Sequence, residues 1–125
     1  MITNIEITGV GRYTPDDSTK DYVRKRIGGL DKKVTKHARK SIRAEVKMAE
    51  VNRDNGNKYE VEVILFLPEQ RIIAKDSTMN ILAATDIVEA KLAAQLRKYK
   101  DEHVSHIGRR KLLDHFKRSY AREVQ

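Results

Sequence analysis

The residues best equipped for chemistry in this chain are its cations. Between positions 20 and 43 stand ten Lys and Arg against only Asp21 and Asp31, so this segment carries +8, equal to the net charge of the whole 125-residue chain. Residues 1–19 and 44–79 each sum to −2, and 80–125 to +4. A basic block set between neutral or acidic ones makes a directed field rather than an even solubilising coat. Phosphates recur regularly along nucleic acid, so several Lys and Arg on one rigid face release counterions together. Arg can also bridge phosphates bidentately or stack on bases. Nucleic acid is the first polyanion this pattern suits, and an anionic membrane surface the second. The alternative is a solvated basic surface with no partner.

Other chemistry is poorly supplied. There is no HExxH, phosphate-binding glycine loop or nucleophile elbow. Gly9 and Gly11 precede a helical stretch, but the pattern stops at Gly-Val-Gly and reads as a turn. Asp16 and Asp17 can ligate magnesium, although helix capping explains them without an ion. Asp86 and Glu89 fall on a helix face expected to be solvated. His103 and His106 sit three apart, yet two ligands without a cysteine do not complete a zinc site. With no cysteine at all, disulfides and thiolate metal sites are excluded, which fits a reducing cytoplasm. Met1 to Arg12 lacks a basic segment followed by an apolar one, so no signal peptide is expected. The longest aliphatic and aromatic run, Val63 to Leu67, is too short to span a bilayer. The expectation is a cytoplasmic, monomeric binding protein with no enzymatic activity, cofactor, metal, membrane or small-molecule substrate.

The elements that must position the cations follow from periodicity. Residues 2–8 alternate like a strand, with Ile5 and Ile7 on one face. Thr14 can cap a helix whose first position suits Pro15, with Asp16 and Asp17 near its positive end. Val23, Ile27, Leu30 and then Val34 form its apolar stripe. Lys20, Arg24, Lys25, Arg26, Lys32 and Lys33 lie off it, and Gly28-Gly29 weakens its last turn. Residues 39–50 alternate again, Asp54-Asn55-Gly56 suits a tight turn, and residues 58–67 and 71–75 read as further strands. The strongest element is 80–102, where Ile81, Ala84, Val88, Leu92, Leu96 and Tyr99 repeat at helical spacing. One of Ser77, Thr78 or Asn80 can cap it. The order β-α-β-β-β-α predicts an α+β fold, a four-stranded sheet with two helices packed on one face. The other face should be polar, with Arg43, Lys47, Glu60 and Glu62. Tyr22 and Tyr99 can stack on bases, but their spacing fits packing better. The strands lack the Gly/aromatic signature of an RNA-recognition sheet. Residues 1–102 make one domain. Residues 103–125 form a basic tail, in which Leu112, Leu113, Phe116 and Tyr120 could make a helical stripe.

The run Asn80-Ile81-Leu82-Ala83-Ala84-Thr85-Asp86, then Lys91-Leu92, then Gln95-Leu96-Arg97-Lys98-Tyr99-Lys100 resembles the last helix of the ribosome hibernation-promoting factor family. That family includes the ribosome-associated inhibitor proteins and is also described as sigma-54 modulation proteins. Its pattern there reads D-x-Y-A-A-I-D, four spacers, K-L-E-R-Q-L-R-K-Y-K. Ile5-Glu6-Ile7-Thr8-Gly9 and Tyr22-Val23-Arg24-Lys25-Arg26-Ile27 to Leu30 also resemble its first strand and helix. The resemblance spans roughly residues 2–102. Asn80 replaces the usual Asp, Leu82 the usual Tyr, Thr85 the usual Ile, and Ala94 a frequent Arg, so the resemblance implies one RNA contact fewer here. Long members continue into a second domain that pairs ribosomes; the 23 residues after Glu102 suggest a short form.

The resemblance implies a protein lodged in the decoding region of the small ribosomal subunit, or of the whole ribosome, over the transfer-RNA and messenger-RNA sites. It would act by occupancy. Matching positions would bring Arg24, Lys25, Lys32, Lys33, Lys91, Arg97, Lys98 and Lys100 near ribosomal RNA. Lys36, Arg39 and Arg43, on the loop and strand after the first helix, are expected to add contacts, and the basic tail to reach the messenger channel. Three other readings compete: a generic double-stranded RNA-binding module, a regulator acting through protein contacts, and, third, an RNA-processing enzyme. The first is weakened by the single Lys in Lys75-Asp76-Ser77-Thr78, where such modules carry a lysine cluster.

Overall fold

The computed structural model describes residues 1–52 and 56–124, with side chains through Glu102. Strand β1 (Ile5–Val10) leads into helix α1 (Asp17–Gly28), a 3-10 helix η1 (Gly29–Lys33) and a single helical turn α2 (Lys36–Arg39). Strands β2 (Arg43–Glu50), β3 (Tyr59–Phe66) and β4 (Arg71–Thr78) follow, then helix α3 (Ile81–Val124). The sheet order is β1-β2-β3-β4. β1 pairs parallel with β2, from Ile5 opposite Ala44 to Val10 opposite Ala49. The other two pairings are antiparallel. This is the expected α+β architecture, with a meander and a helical crossover that returns the chain to the same sheet.

The alternation in the strands explains why one face is covered. Ala44, Val46 and Met48 on β2, and Val61, Val63 and Leu65 on β3, point inward and are buried. Against them pack Val23, Ile27, Leu30 and Val34 from α1 and its extension, and Ala84, Val88, Leu92, Leu96 and Tyr99 from α3. The stripes read from the sequence are in the core, Tyr99 included, except Ile81, which is partly buried and packs against it. The open face carries cross-strand charges such as Lys47 opposite Glu62 and Glu62 opposite Lys75. It also carries Ile64 opposite Ile73, and Phe66 between Arg43 and Arg71, so it is less polar than expected.

Several boundaries differ from the sequence reading. Asp16, not Thr14, caps α1: its Oδ1 accepts from the Thr19 amide at 2.8 Å, and the helix starts at Asp17. Pro15 is buried because residues 13–15 cross Gly9, where a Cβ would stand 2.1 Å from the Tyr13 carbonyl oxygen and 2.9 Å from Pro15 Cδ. β2 begins at Arg43 rather than 39, because Thr35 Oγ1 accepts from the Ala38 amide at 3.3 Å and closes a helical turn. Arg39 Nε then donates to the Asp31 carbonyl at 2.9 Å, tying that turn to η1. Of the three candidate caps for α3, Asn80 serves: its Oδ1 accepts from Leu82 and Ala83 amides at 2.8 and 3.4 Å. Gly56 takes φ +83, while Asp54 and Asn55 of the expected turn lie outside the described residues. α3 runs on through Val124. The stripe from Leu112 to Tyr120, and His103 with His106, lie outside the described side chains.

Candidate nucleic-acid interface

The two helices lie side by side on the covered face, and a groove of about 420 Å³ runs between them. α1 contributes Tyr22, Lys25 and Arg26 to its walls, and the turn into η1 adds Gly29, Leu30 and Lys33. α3 contributes Glu89 and Ala93. Four residues fasten the helices across it. Tyr22 Oη donates to Asp86 Oδ1 at 2.6 Å. Arg26 Nε lies 3.6 Å from Asp86 Oδ1 and 4.0 Å from Glu89 Oε2. The Arg26 guanidinium also stands 5.3 Å from the Tyr22 ring centroid, within cation–π range.

The electrostatics follow from that geometry. The hydrogen bond to Asp86 pushes the Tyr22 phenol above its ordinary value. Tyr22 and the carboxylates of Asp86 and Glu89 raise Arg26 further. Glu89 is raised chiefly by burial; Asp86 adds to this and Arg26 opposes it. Glu89 Oε2 is buried and accepts no hydrogen bond, since 4.0 Å to Arg26 is an ion-pair distance and too long for one. Asp86 and Glu89, expected on a solvated face, therefore face α1. The sequence reading missed this role for them and for Arg26. Their spacing, Tyr22 with Arg26 and Asp86 with Glu89, marks one flank of each helix, but only the packing shows that the two flanks meet.

The predicted cations are distributed over several surfaces. Lys25 and Lys33 line the groove, and Lys32 is exposed beside them on η1. Arg97 and Lys100 stand four and seven residues after Ala93, so they extend the same flank of α3. Arg24 leans on Asp21 at 3.7 Å, one turn back along α1. Lys36 and Arg39 are exposed on α2. Lys91 turns to the sheet edge, donating to the Lys75 carbonyl at 3.1 Å and pairing with Asp76 at 3.2 Å. Gln95 does the same at Ile73, at 3.1 Å, and Lys98 lines the adjoining recess with Gln95 and Arg71. Together these side chains cover the β4 edge that would otherwise expose unpaired carbonyls. Arg43 lies on the opposite face of the sheet, 3.7 Å from the Phe66 ring centroid and 3.1 Å from Glu45.

Among the described residues no group of three or more His, Cys, Asp or Glu is placed to hold a metal. No helix among them is long and apolar enough to cross a membrane. The arrangement offers cations, a shallow apolar floor and a few acceptors, which is equipment for binding.

Residues 5–104 match the family described as Sigma 54 modulation protein / S30EA ribosomal protein. The chain belongs to that family. Its members are ribosome-associated factors, not a known family of enzymes. The S30EA fold recurs in the N-terminal domain of Protein Y from Thermus thermophilus, at 21% identity and TM-score 0.63, over 78% of this chain and 97% of that one. It recurs also in a ribosomal subunit interface protein from Coxiella burnetii, at 21% identity and TM-score 0.62, over 78% and 98%. No curated protein matches the chain. In this S30EA member Ala94 is exposed beside Arg97, Lys98, Asp101 and Glu102.

Proposed function

We propose that this protein occupies the decoding region of the small ribosomal subunit through its helix-bearing face and idles the ribosome by blocking the transfer-RNA and messenger-RNA sites. The observation that carries this reading, within a ribosome-associated family, is the cationic α1 side of the inter-helix groove. Lys25 and Lys33 line it, Lys32 is exposed beside them, and Arg97 and Lys100 follow on the same flank of α3 beyond Ala93. Rigid helices on a rigid sheet hold these charges at fixed separations, so ribosomal RNA is met by shape and phosphate pattern and not by sequence alone. No catalysis is required, because occupancy excludes the competing RNAs. The protein acts as a cytoplasmic monomer, and residues 103–125 are an arm separable from the ribosome-binding domain 1–102.

The test is sedimentation of the purified protein with ribosomes near physiological salt. Co-migration with the small subunit, lost when transfer RNA and messenger are added and lost when Arg97, Lys98 and Lys100 become Glu, is the expected result. Binding to a free RNA duplex as tightly as to the subunit would overturn it in favour of a general double-stranded RNA module. A protein contact is a second reading, favoured by one observation: Ile73, 47% exposed, adjoins Ile64 and Phe66 on the open sheet face. Cross-linking through that face to protein and not to RNA would support it.

A further inference from the structure

We infer that the groove between α1 and α3 is a pocket for a single unpaired guanine, with Glu89 as its acceptor. This rests on the ribosomal-RNA reading and specifies what that surface grips. The floor is apolar, formed by Leu30, Ala93 and the bare backbone of Gly29, and its volume of about 420 Å³ falls within the range of roughly 300–1,000 Å³ typical of small-ligand pockets. The rim carries Lys25 and Lys33. Inside stands one carboxylate, Glu89, with a buried oxygen that accepts no hydrogen bond.

These features select a ligand by elimination. A free carboxylate or phosphate suits the lysines but meets repulsion from Glu89. A guanidinium or ammonium suits Glu89 but meets the lysines and Arg26. A nucleotide satisfies both: its flanking phosphates pair with the rim, its flat ring covers the apolar floor, and its N–H groups donate to the carboxylate. Of the four bases, guanine alone presents two donors on one edge, N1–H and the 2-amino group, in the spacing of a carboxylate. Bases splayed from single strands are commonly read on this edge by side chains. The terminal torsion of Glu is broad, so Oε2 can swing into the groove while Arg26 keeps Asp86 as its partner.

Fluorescence anisotropy of the full chain with three pentaribonucleotides tests this. All have uridines at the flanks, with guanosine, inosine or uridine at the centre, and all are measured at one salt concentration. Guanosine should bind about tenfold more tightly than inosine, which lacks the 2-amino donor to a charged acceptor, and uridine should bind more weakly still. Glu89→Gln should reduce the guanosine preference below about twofold while the protein stays folded by circular dichroism. Equal affinities for the three, or a preference that survives Glu89→Gln, would overturn the assignment. Sedimentation with small subunits, run in parallel, separates the two proposals. A protein that sediments without discriminating bases sinks only the guanine pocket, and one that discriminates without sedimenting sinks only the decoding-region reading.

Discussion

Glu89 shows how a single residue couples stability to pH. Its carboxyl titrates above its ordinary 4.5 because burial penalises the charge, with Asp86 adding to the penalty and Arg26 relieving part of it. A folded value above the unfolded one means that the fold favours the protonated acid. The contribution is present below about pH 4.5 and is lost as pH rises through the higher value. Glu89→Gln, which mimics the neutral form, should therefore melt higher than the parent at pH 7. The advantage should vanish at pH 4. Calorimetry at the two pH values decides, and an advantage that is the same at both contradicts this account. Also at the residue scale, Lys25→Glu with Lys33→Glu should weaken subunit binding at least tenfold in sedimentation. Arg43→Glu, on the far face of the sheet, should change it far less. Equal losses would mean that both faces are engaged.

At the scale of elements, close approaches and caps decide the fold. β1 survives as an edge because residues 13–15 cross it at Gly9. Gly9→Ala should cost about 1–3 kcal/mol, since backbone has to move to admit a methyl group. Gly29→Ala meets open space at a helical φ of −69, so it should be neutral or stabilising by about 0.4–1 kcal/mol. Urea titration of both variants tests the contrast. In α3, Asn80→Ala removes the acceptor for two amides and should cost about 1 kcal/mol. Leu92→Ala, fully buried, should cost about 2–5 kcal/mol. Polar residues of the motif divide between two flanks of this helix. Lys91 and Gln95 complete the sheet edge, while Arg97 and Lys100 share the flank of Ala93. Replacing Lys91 should thus lower stability before it lowers affinity.

For the molecule as a whole, the net charge of +8 is a statement about salt. Binding that engages several phosphates should weaken linearly on a log–log plot of affinity against salt, with a slope near −0.7 to −0.9 per phosphate. A tight complex indifferent to salt would contradict a cationic interface. α3 spans 44 residues, about 66 Å at 1.5 Å per residue, so it projects well past the sheet it packs on. If residues 103–125 reach the messenger channel, truncation after Glu102 should weaken subunit binding and reduce the salt slope. Unchanged affinity on truncation removes the arm from the interface.

The sequence by itself determined the element order, most of the core and the sign of the charge that the helices carry. Val23, Ile27 and Leu30 on α1, and Ala84 through Tyr99 on α3, recur at helical spacing, and the strands alternate, because burial of one face imposes a period on the chain. Segment charge was legible for the same reason, being additive along the sequence. Boundaries were less legible where a longer-range contact competes with local preference. Thr14 and Pro15 look like a helix start until Gly9 admits them against β1. Residues 39–42 look like a strand until Thr35 and Arg39 close a turn on Asp31. Only the tertiary structure decided which cations share a surface. Lys25 and Lys33 face Glu89 because two helices pack side by side. Lys91 is drawn to the β4 edge by an unpaired carbonyl, and Arg43 lies across the sheet because its strand neighbours Ile42 and Ala44 point inward. The direction of a side chain in space depends on what its element packs against, and that partner stands far away in the chain.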